Sequence, residues 1–225
     1  MKKLLPILFV LIITSCSPPP EVDWYQLVER EGVYYEVNSQ TPFTGSSISY
    51  DGNGQLSTKT NYTDGELDGL YEFYYENGLM EQHNYKDGKL DGPSIMFYKN
   101  GSILSKYIFK EGKLHGTVEY FDYEGELLKS QTYRNDLLHG PTKTSFQTLN
   151  HDDQGEWYSV INYKDGEPHG LVESTHSISY KRLKNRMYFK EGKLHGTFEF
   201  FDEDGQLIQR TCYQDSETVD MSYCD

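Results

Sequence analysis

Nine letters recur without change in this chain of 225 residues: Phe-Lys-Glu-Gly-Lys-Leu-His-Gly-Thr spans 109–117 and again 189–197. Looser copies run between and before them, such as Tyr85-Lys-Asp-Gly-Lys-Leu-Asp-Gly92 and Tyr62-Thr-Asp-Gly-Glu-Leu-Asp-Gly69. A short unit repeated at a fixed period cannot bury its apolar face alone, so neighbouring units must stack into a continuous array. The closing glycines measure the period. They stand at Gly45, Gly69, Gly92, Gly116, Gly140, Gly170 and Gly196, spaced by 24, 23, 24, 24, 30 and 26 residues. A further glycine follows nine residues later at Gly54, Gly78, Gly101, Gly125 and Gly205.

A unit of about 23–24 residues broken by this much glycine is too interrupted for a helix of ordinary length, but it holds two strands and two turns. Leu70-Tyr-Glu-Phe-Tyr-Tyr75, Thr117-Val-Glu-Tyr-Phe121 and Thr197-Phe-Glu-Phe-Phe201 are rich in aromatic and β-branched residues, which suit a half-buried pleated surface. Glu76-Asn-Gly78, Lys99-Asn-Gly101 and Lys86-Asp-Gly88 read as hairpin turns, because Asn, Asp and Gly tolerate positive φ. The expected fold is all-β: an elongated, twisted antiparallel meander of repeated hairpins in a single sheet. Each repeat advances it by about 9.5 Å, two strand spacings. With no second layer, the core must come from aromatic rings of adjacent hairpins. The composition supplies 20 Tyr and 11 Phe for it.

Two units break the rhythm. The polar insert 147–154, with His151, Asp152 and Asp153 followed by Trp157, lengthens one of them. The stretch 180–186, with Tyr180, Arg182 and Arg186, replaces the turn glycine of the next. Insertions in repeat proteins map to loops on one face, often the binding face, so these seven residues form the candidate binding surface. A longer hairpin without function is the alternative.

The amino-terminal segment reads as an address. Lys2 and Lys3 precede an apolar run over 4–13, too short to span a bilayer as a helix, and Ile13-Thr14-Ser15-Cys16 follows. That ending resembles the bacterial lipobox, in which the chain is cut before a cysteine that then carries lipid. The expected organisation is a signal peptide over 1–15, lipidated Cys16 with a proline-rich tether over 16–23, a repeat domain over 24–213 and an acidic tail over 214–225. Acyl chains on Cys16 would hold the protein in the bacterial cell envelope, with the outer membrane as the expected site.

Net charge is −14, and loss of Lys2 and Lys3 lowers it to −16. Such a chain repels phosphate backbones, which argues against nucleic acid and favours a basic protein partner. With Cys16 assigned to lipid, Cys212 and Cys224 remain as an even pair in an oxidising compartment, a candidate disulfide that sequence leaves open between bonded and free.

His115, His139, His169 and His195 recur just before a repeat glycine, yet equivalent positions in adjacent hairpins stand about 9.5 Å apart, too far to share a metal. Asp68 and Asp91 fill the same slot, so it reads as a polar position capping local backbone. The carboxylates Asp152, Asp153 and Glu156 lack the alternation of a calcium loop. Nucleophile elbow, zincin, P-loop and dinucleotide motifs are missing too, so the reading assigns no catalytic residue, no metal and no cofactor.

The phrase aromatic-x-x-Gly-Lys-Leu-His/Asp-Gly, followed by a strand and a glycine, resembles the MORN-repeat-variant unit over roughly residues 24–213. Leu27-Val-Glu-Arg-Glu-Gly-Val-Tyr-Tyr35, Thr41-Pro-Phe-Thr-Gly45 and Gly54-Gln-Leu56 are similar to the amino-terminal part of the same family. The resemblance implies the hairpin fold, roles in protein scaffolding and lipid contact, and a likeness to YwqK-type antitoxin-like lipoproteins of toxin–antitoxin pairs. The resulting expectation is a non-enzymatic, lipid-anchored protein-interaction module, antitoxin-like or immunity-like. The alternatives are an envelope structural or glycan-binding protein using Trp24 and Trp157, and more remotely a hydrolase centred on residues 151–156.

Overall fold

The computed structural model describes residues 18–76, 78–145, 157–175 and 183–224. Among the described residues nineteen strands form one sheet. It begins with Glu21–Asp23, laid parallel against Gly45–Tyr50. From there each strand pairs antiparallel with the next along the chain. The succession runs Leu56–Thr63, Glu66–Tyr75, Gly78–Lys86, Lys89–Phe97, Ile103–Lys110, Gly116–Phe121, Leu127–Arg134 and Leu137–Ser145. It continues through Trp157–Lys164, Gly170–Thr175, Leu183–Lys190, Gly196–Phe201, Leu207–Gln214 and Glu217–Val219. Lys113–Leu114, Glu167–Pro168 and Lys193–Leu194 are short lead-ins to the strands that follow them. The meander of hairpins is the observed architecture.

Register explains the repeat phrase. Tyr62 stands between Gly45 and Leu67, Tyr85 between Gly69 and Leu90, Phe109 between Gly92 and Leu114, and Tyr133 between Gly116 and Leu138. Each ring therefore faces a bare backbone on one side and a leucine on the other. Between leucine and glycine the ladder slips, for example between Thr60 and Tyr62 and between His83 and Tyr85. Such bulges sharpen the right-handed twist and coil the sheet. In several repeats a side chain at the slip bonds the carbonyl opposite it. Asn84 Nδ2 donates to Pro93 O (2.7 Å), and Thr132 Oγ1 donates to Pro141 O (3.3 Å).

The hairpins are also joined end to end. In the tight turns, residues such as Asp87 and Gly88 both hold positive φ (48° and 73°), the geometry of a type I′ turn. The second turn residue donates its N–H to the repeat leucine of the preceding hairpin: Gly88 to Leu67, Gly112 to Leu90, Asp136 to Leu114, Gly166 to Leu138 and Ser216 to Leu194, at 2.8–3.0 Å. One margin of the sheet is thus a staircase of turns.

The core differs from an all-aromatic one. Fully buried positions are small: Val118 (1% exposed), Ser94, Ser105 and Cys212. Most rings are half-buried and arch over them, as where Tyr107 meets Tyr120 at 6.0 Å between centroids. In one coiled layer the deepest points lie beside the backbone, where a large ring has no room.

Burial pushes the Tyr120 hydroxyl up to about 12, helped by Tyr107 and Tyr133, and raises Tyr71, Tyr85 and Tyr133 as well. A folded-state pKa above the unfolded 10.0 contributes stability that is complete below pH 10 and lost as pH rises through the folded value. The array is expected to weaken between about pH 10 and 12, with tyrosinate absorbance rising late and Tyr120→Phe removing the latest component.

Both ends are closed. At the amino end the separate hairpin Leu27–Arg30 with Val33–Glu36 folds over the first turn, packing Tyr34 and Phe43 onto Tyr62 at 5.0 and 5.8 Å. Glu21–Asp23 lies in the sheet rather than in the tether, and Lys59 Nζ clamps Glu21 at 2.7 Å, lowering that carboxyl. At the carboxyl end the expected tail is instead the strand Glu217–Val219 and the 3-10 turn Met221–Tyr223. A disulfide between Cys212 and Cys224, with Cα atoms 6.0 Å apart, ties them to the last long strand. Short edge strands of three residues limit edge-to-edge pairing.

Candidate interaction surface

Alternation along the strands sorts the side chains into an inner face, an outer face and two margins. The outer face carries one cross-strand row in register: Lys59, Glu72, Gln82, Ile95, Lys106, Glu119, Ser130, Lys143, Val160, Glu173, Arg186, Glu199 and Arg210. Its carboxyl-terminal end is a charge network. Arg186 Nε donates to Glu173 (2.9 Å), Arg186 Nη1 lies 3.5 Å from Glu199, and Arg210 donates to Glu199 through Nη2 (2.6 Å) and Nε (3.0 Å). Arg186, expected on a binding loop, is thus held within the sheet as a cross-strand partner.

The His/Asp slot does not cap its own hairpin. It reaches about twenty residues forward, to the first residue of the next tight turn. Asp91 accepts the Glu111 N–H (3.0 Å), and Thr44 accepts that of Asp64 (2.9 Å). His139 Nδ1 faces Asp165 at 3.2 Å, His115 faces Asn135 at 3.3 Å, and His195 faces Asp215 at 3.8 Å. Asp91, His115 and His139 thereby fasten successive turns, so either His or Asp serves, whereas the Nδ1 atoms of His169 and His195 make no hydrogen bond. Asp91→Ala is expected to lower the unfolding free energy by about 1 kcal/mol in urea titration.

The two margins differ in charge. Along the tight turns (63–66, 86–89, 110–113, 134–137, 164–167, 190–193 and 214–217), ten acids are nearly matched by eight bases, because Lys flanks the turn in most repeats. The opposite margin is formed by the longer loops around 50–55, 75–78, 98–102, 122–126 and 202–206. Among its described residues Asp51, Glu76, Asp122, Glu124, Glu126, Asp202, Glu203 and Asp204 meet one base, Lys99. Asp51, Asp122 and Asp202 are occupied in building these loops: each carboxylate accepts the N–H four residues on, at 2.7–2.9 Å. This polarity has its signal in the sequence, in the alternation of Lys-Asp-Gly-Lys turns with Asp-x-x-Gly loops.

Trp24 is exposed in a 3-10 turn, and Trp157 begins a strand paired through Ser145. Cys16, His151, Asp152, Asp153, Tyr180 and Arg182 lie outside the described residues, as do 147–154. Among the described residues no three His, Cys, Asp or Glu side chains group closely enough to hold a metal, and no helix is long and apolar enough to cross a membrane. On the inner face His83 Nδ1 and the hydroxyls of Ser94, Ser105 and Thr142 are buried without a protein partner.

No curated protein matches the chain. Among solved structures, TarM is similar over 49% of this chain and 21% of its own, at 15% identity and a TM-score of 0.29. A mutant TarM from S. aureus in complex with fondaparinux, α-GlcNAc-glycerol and UDP gives 11% identity over 51% and 21%, with the same TM-score. This chain thus spans about a fifth of TarM. A porin-like protein from Bacteroides uniformis is similar over 86% of this chain and 89% of its own, at 12% identity and a TM-score of 0.20. The family model of the MORN repeat variant matches at 67–87, 90–111, 114–135 and 194–215. Each match runs from the repeat leucine through a strand, a loop and a second strand to the next tight turn. The chain therefore carries MORN-variant repeats, one for each turn-to-turn step at four places in its sheet.

Proposed function

We propose that this chain is a non-enzymatic, lipid-anchored module of the bacterial envelope that captures a basic protein along its acidic loop margin, in an antitoxin-like or immunity-like role. The observation that carries the reading is the charge polarity of the two margins, eight acids to one base among the described residues of the loop margin against ten to eight along the tight turns. Opposed potentials steer encounter and select partners by sign. A repeat array suits such a role because it spreads one surface over many hairpins instead of enclosing a pocket. Lipidation of Cys16 would keep this surface at the envelope.

The test is crosslinked capture from the protein's own envelope, comparing the natural chain with Glu124→Lys, Glu126→Lys and Glu203→Lys combined. Asp122 and Asp202 stay unchanged because they build their loops. A basic protein should be captured at low salt, be released as the Debye length falls towards ~3 Å near 1 M, and be lost in the triple variant. Capture indifferent to both salt and charge reversal would sink the reading. The immunity-like form further expects that deleting the protein sensitises cells to the product of a neighbouring gene.

A further inference from the structure

We propose that the amino-terminal unit is a membrane-resting foot: Trp24, Tyr25, Val28 and Val37 lie in the headgroup plane of a zwitterionic bilayer, the one holding the chain's own lipid. The inference rests on the reading of Cys16 as lipidated.

Three observations carry it. First, Trp24 and Tyr25 are 60% and 65% exposed although both are large and apolar, and Val28 and Val37 are exposed as well. Indole and phenol rings with one wet edge favour the membrane–water interface over either bulk phase. Second, the two valines share a side. Val28 pairs with Tyr35, and the Val37 N–H donates to the Gln26 carbonyl at 2.8 Å, so Val28 and Val37 alternate onto one face of the hairpin. Arg30 belongs to that face, its guanidinium 3.9 Å above the Tyr35 ring, whereas Glu29 and Glu36 fall on the opposite face. Val33 at the tip of this face presses on the first turn, but Val28 and Val37 towards its open end are exposed, and no carboxylate of the hairpin strands shares the face.

Third, the tether is short. Glu21 is already fixed in the sheet by Ser46 and Lys59, so five peptide steps separate it from Cys16. Five extended steps reach at most about 18 Å. A cysteine held by acyl chains at the bilayer surface therefore keeps Trp24, three residues past Glu21, within reach of the headgroups. The bilayer is zwitterionic because the carboxylates of Asp23, Glu29 and Glu31 nearby would be repelled by an anionic one.

The chain has two tryptophans, so Trp24→Phe, which changes an exposed side chain, isolates the Trp24 signal by difference. The full protein, its Cys16 acylation checked by mass, is placed in phosphatidylcholine vesicles whose lipids carry bromine either near the glycerol or near the chain end. The expected result is a blue shift and loss of Trp24 emission with shallow bromines, less loss with deep ones, and protection from aqueous acrylamide. An acylated, vesicle-bound protein whose Trp24 stays open to acrylamide and unquenched by bromolipid overturns this inference and leaves the anchor standing. Crosslinking of Trp24 to a protein in the native envelope, without quenching in vesicles, overturns it in favour of a protein partner. An unacylated Cys16 removes the anchor and the foot together.

Discussion

Gly65→Ala is expected to destabilise the protein by about 3 kcal/mol, against about 1–2 kcal/mol for Gly88→Ala at the equivalent place one repeat later. Both glycines hold positive φ, 81° and 73°, so alanine at either carries the left-handed backbone cost of about 1–2 kcal/mol. Only Gly65 is covered. A Cβ there would fall on Val33 Cγ1 and lie 2.8 Å from the Tyr34 carbonyl oxygen and 3.2 Å from Pro42 Cβ, whereas one at Gly88 meets nothing within 4 Å. Two hydrogen bonds pass through the same residue, from its N–H to Phe43 O (2.7 Å) and from the Tyr34 N–H to its carbonyl (2.8 Å). Overfilling such a contact adds about 1–3 kcal/mol. Urea titration of the two variants decides the matter, and equal losses would mean that the amino-terminal hairpin does not press on the first turn.

Reduction of the Cys212–Cys224 disulfide is expected to cost about 3 kcal/mol, the loop-closure value for a ring of this size, locally at the carboxyl end. The two cysteines are 12 residues apart and enclose the final turn, the strand Glu217–Val219 and the 3-10 turn after it. Cys212 is fully buried, flanked in register by Thr197 and Val219. Because each hairpin contacts mainly its neighbours, the loss should appear as early hydrogen exchange and proteolysis over residues 207–224, with the amino-terminal repeats unchanged. Uniform loosening along the whole array would show that stability is shared globally.

The hairpin meander was legible because glycine at a fixed spacing and period-2 aromatics leave few alternatives to turns and strands. The pairing of Tyr62, Tyr85 and Phe109 with repeat glycines was nearly legible too, since both recur with one period. The coil of the sheet was not. It depends on slips such as that between His83 and Tyr85, where the chain adds residues on one strand and Asn84 recovers the stranded carbonyl. Asn there reads in sequence as one more polar strand residue. Charges were countable from the start, yet their separation into two margins required knowing which turns share a side.

Sequence alone determined the unit, its turns and the absence of room for helices, because these follow from φ preferences and side-chain period within some two dozen residues. Tertiary structure decided what the units do to one another. The His/Asp slot fastens the next turn instead of its own, the deepest positions went to Val118, Ser94 and Ser105 instead of to rings, and Arg186 entered a sheet network instead of a loop. The physical reason is the same in each case. The partner lies about twenty residues away or across a strand, at a distance that local propensity does not encode and only the coiled sheet closes.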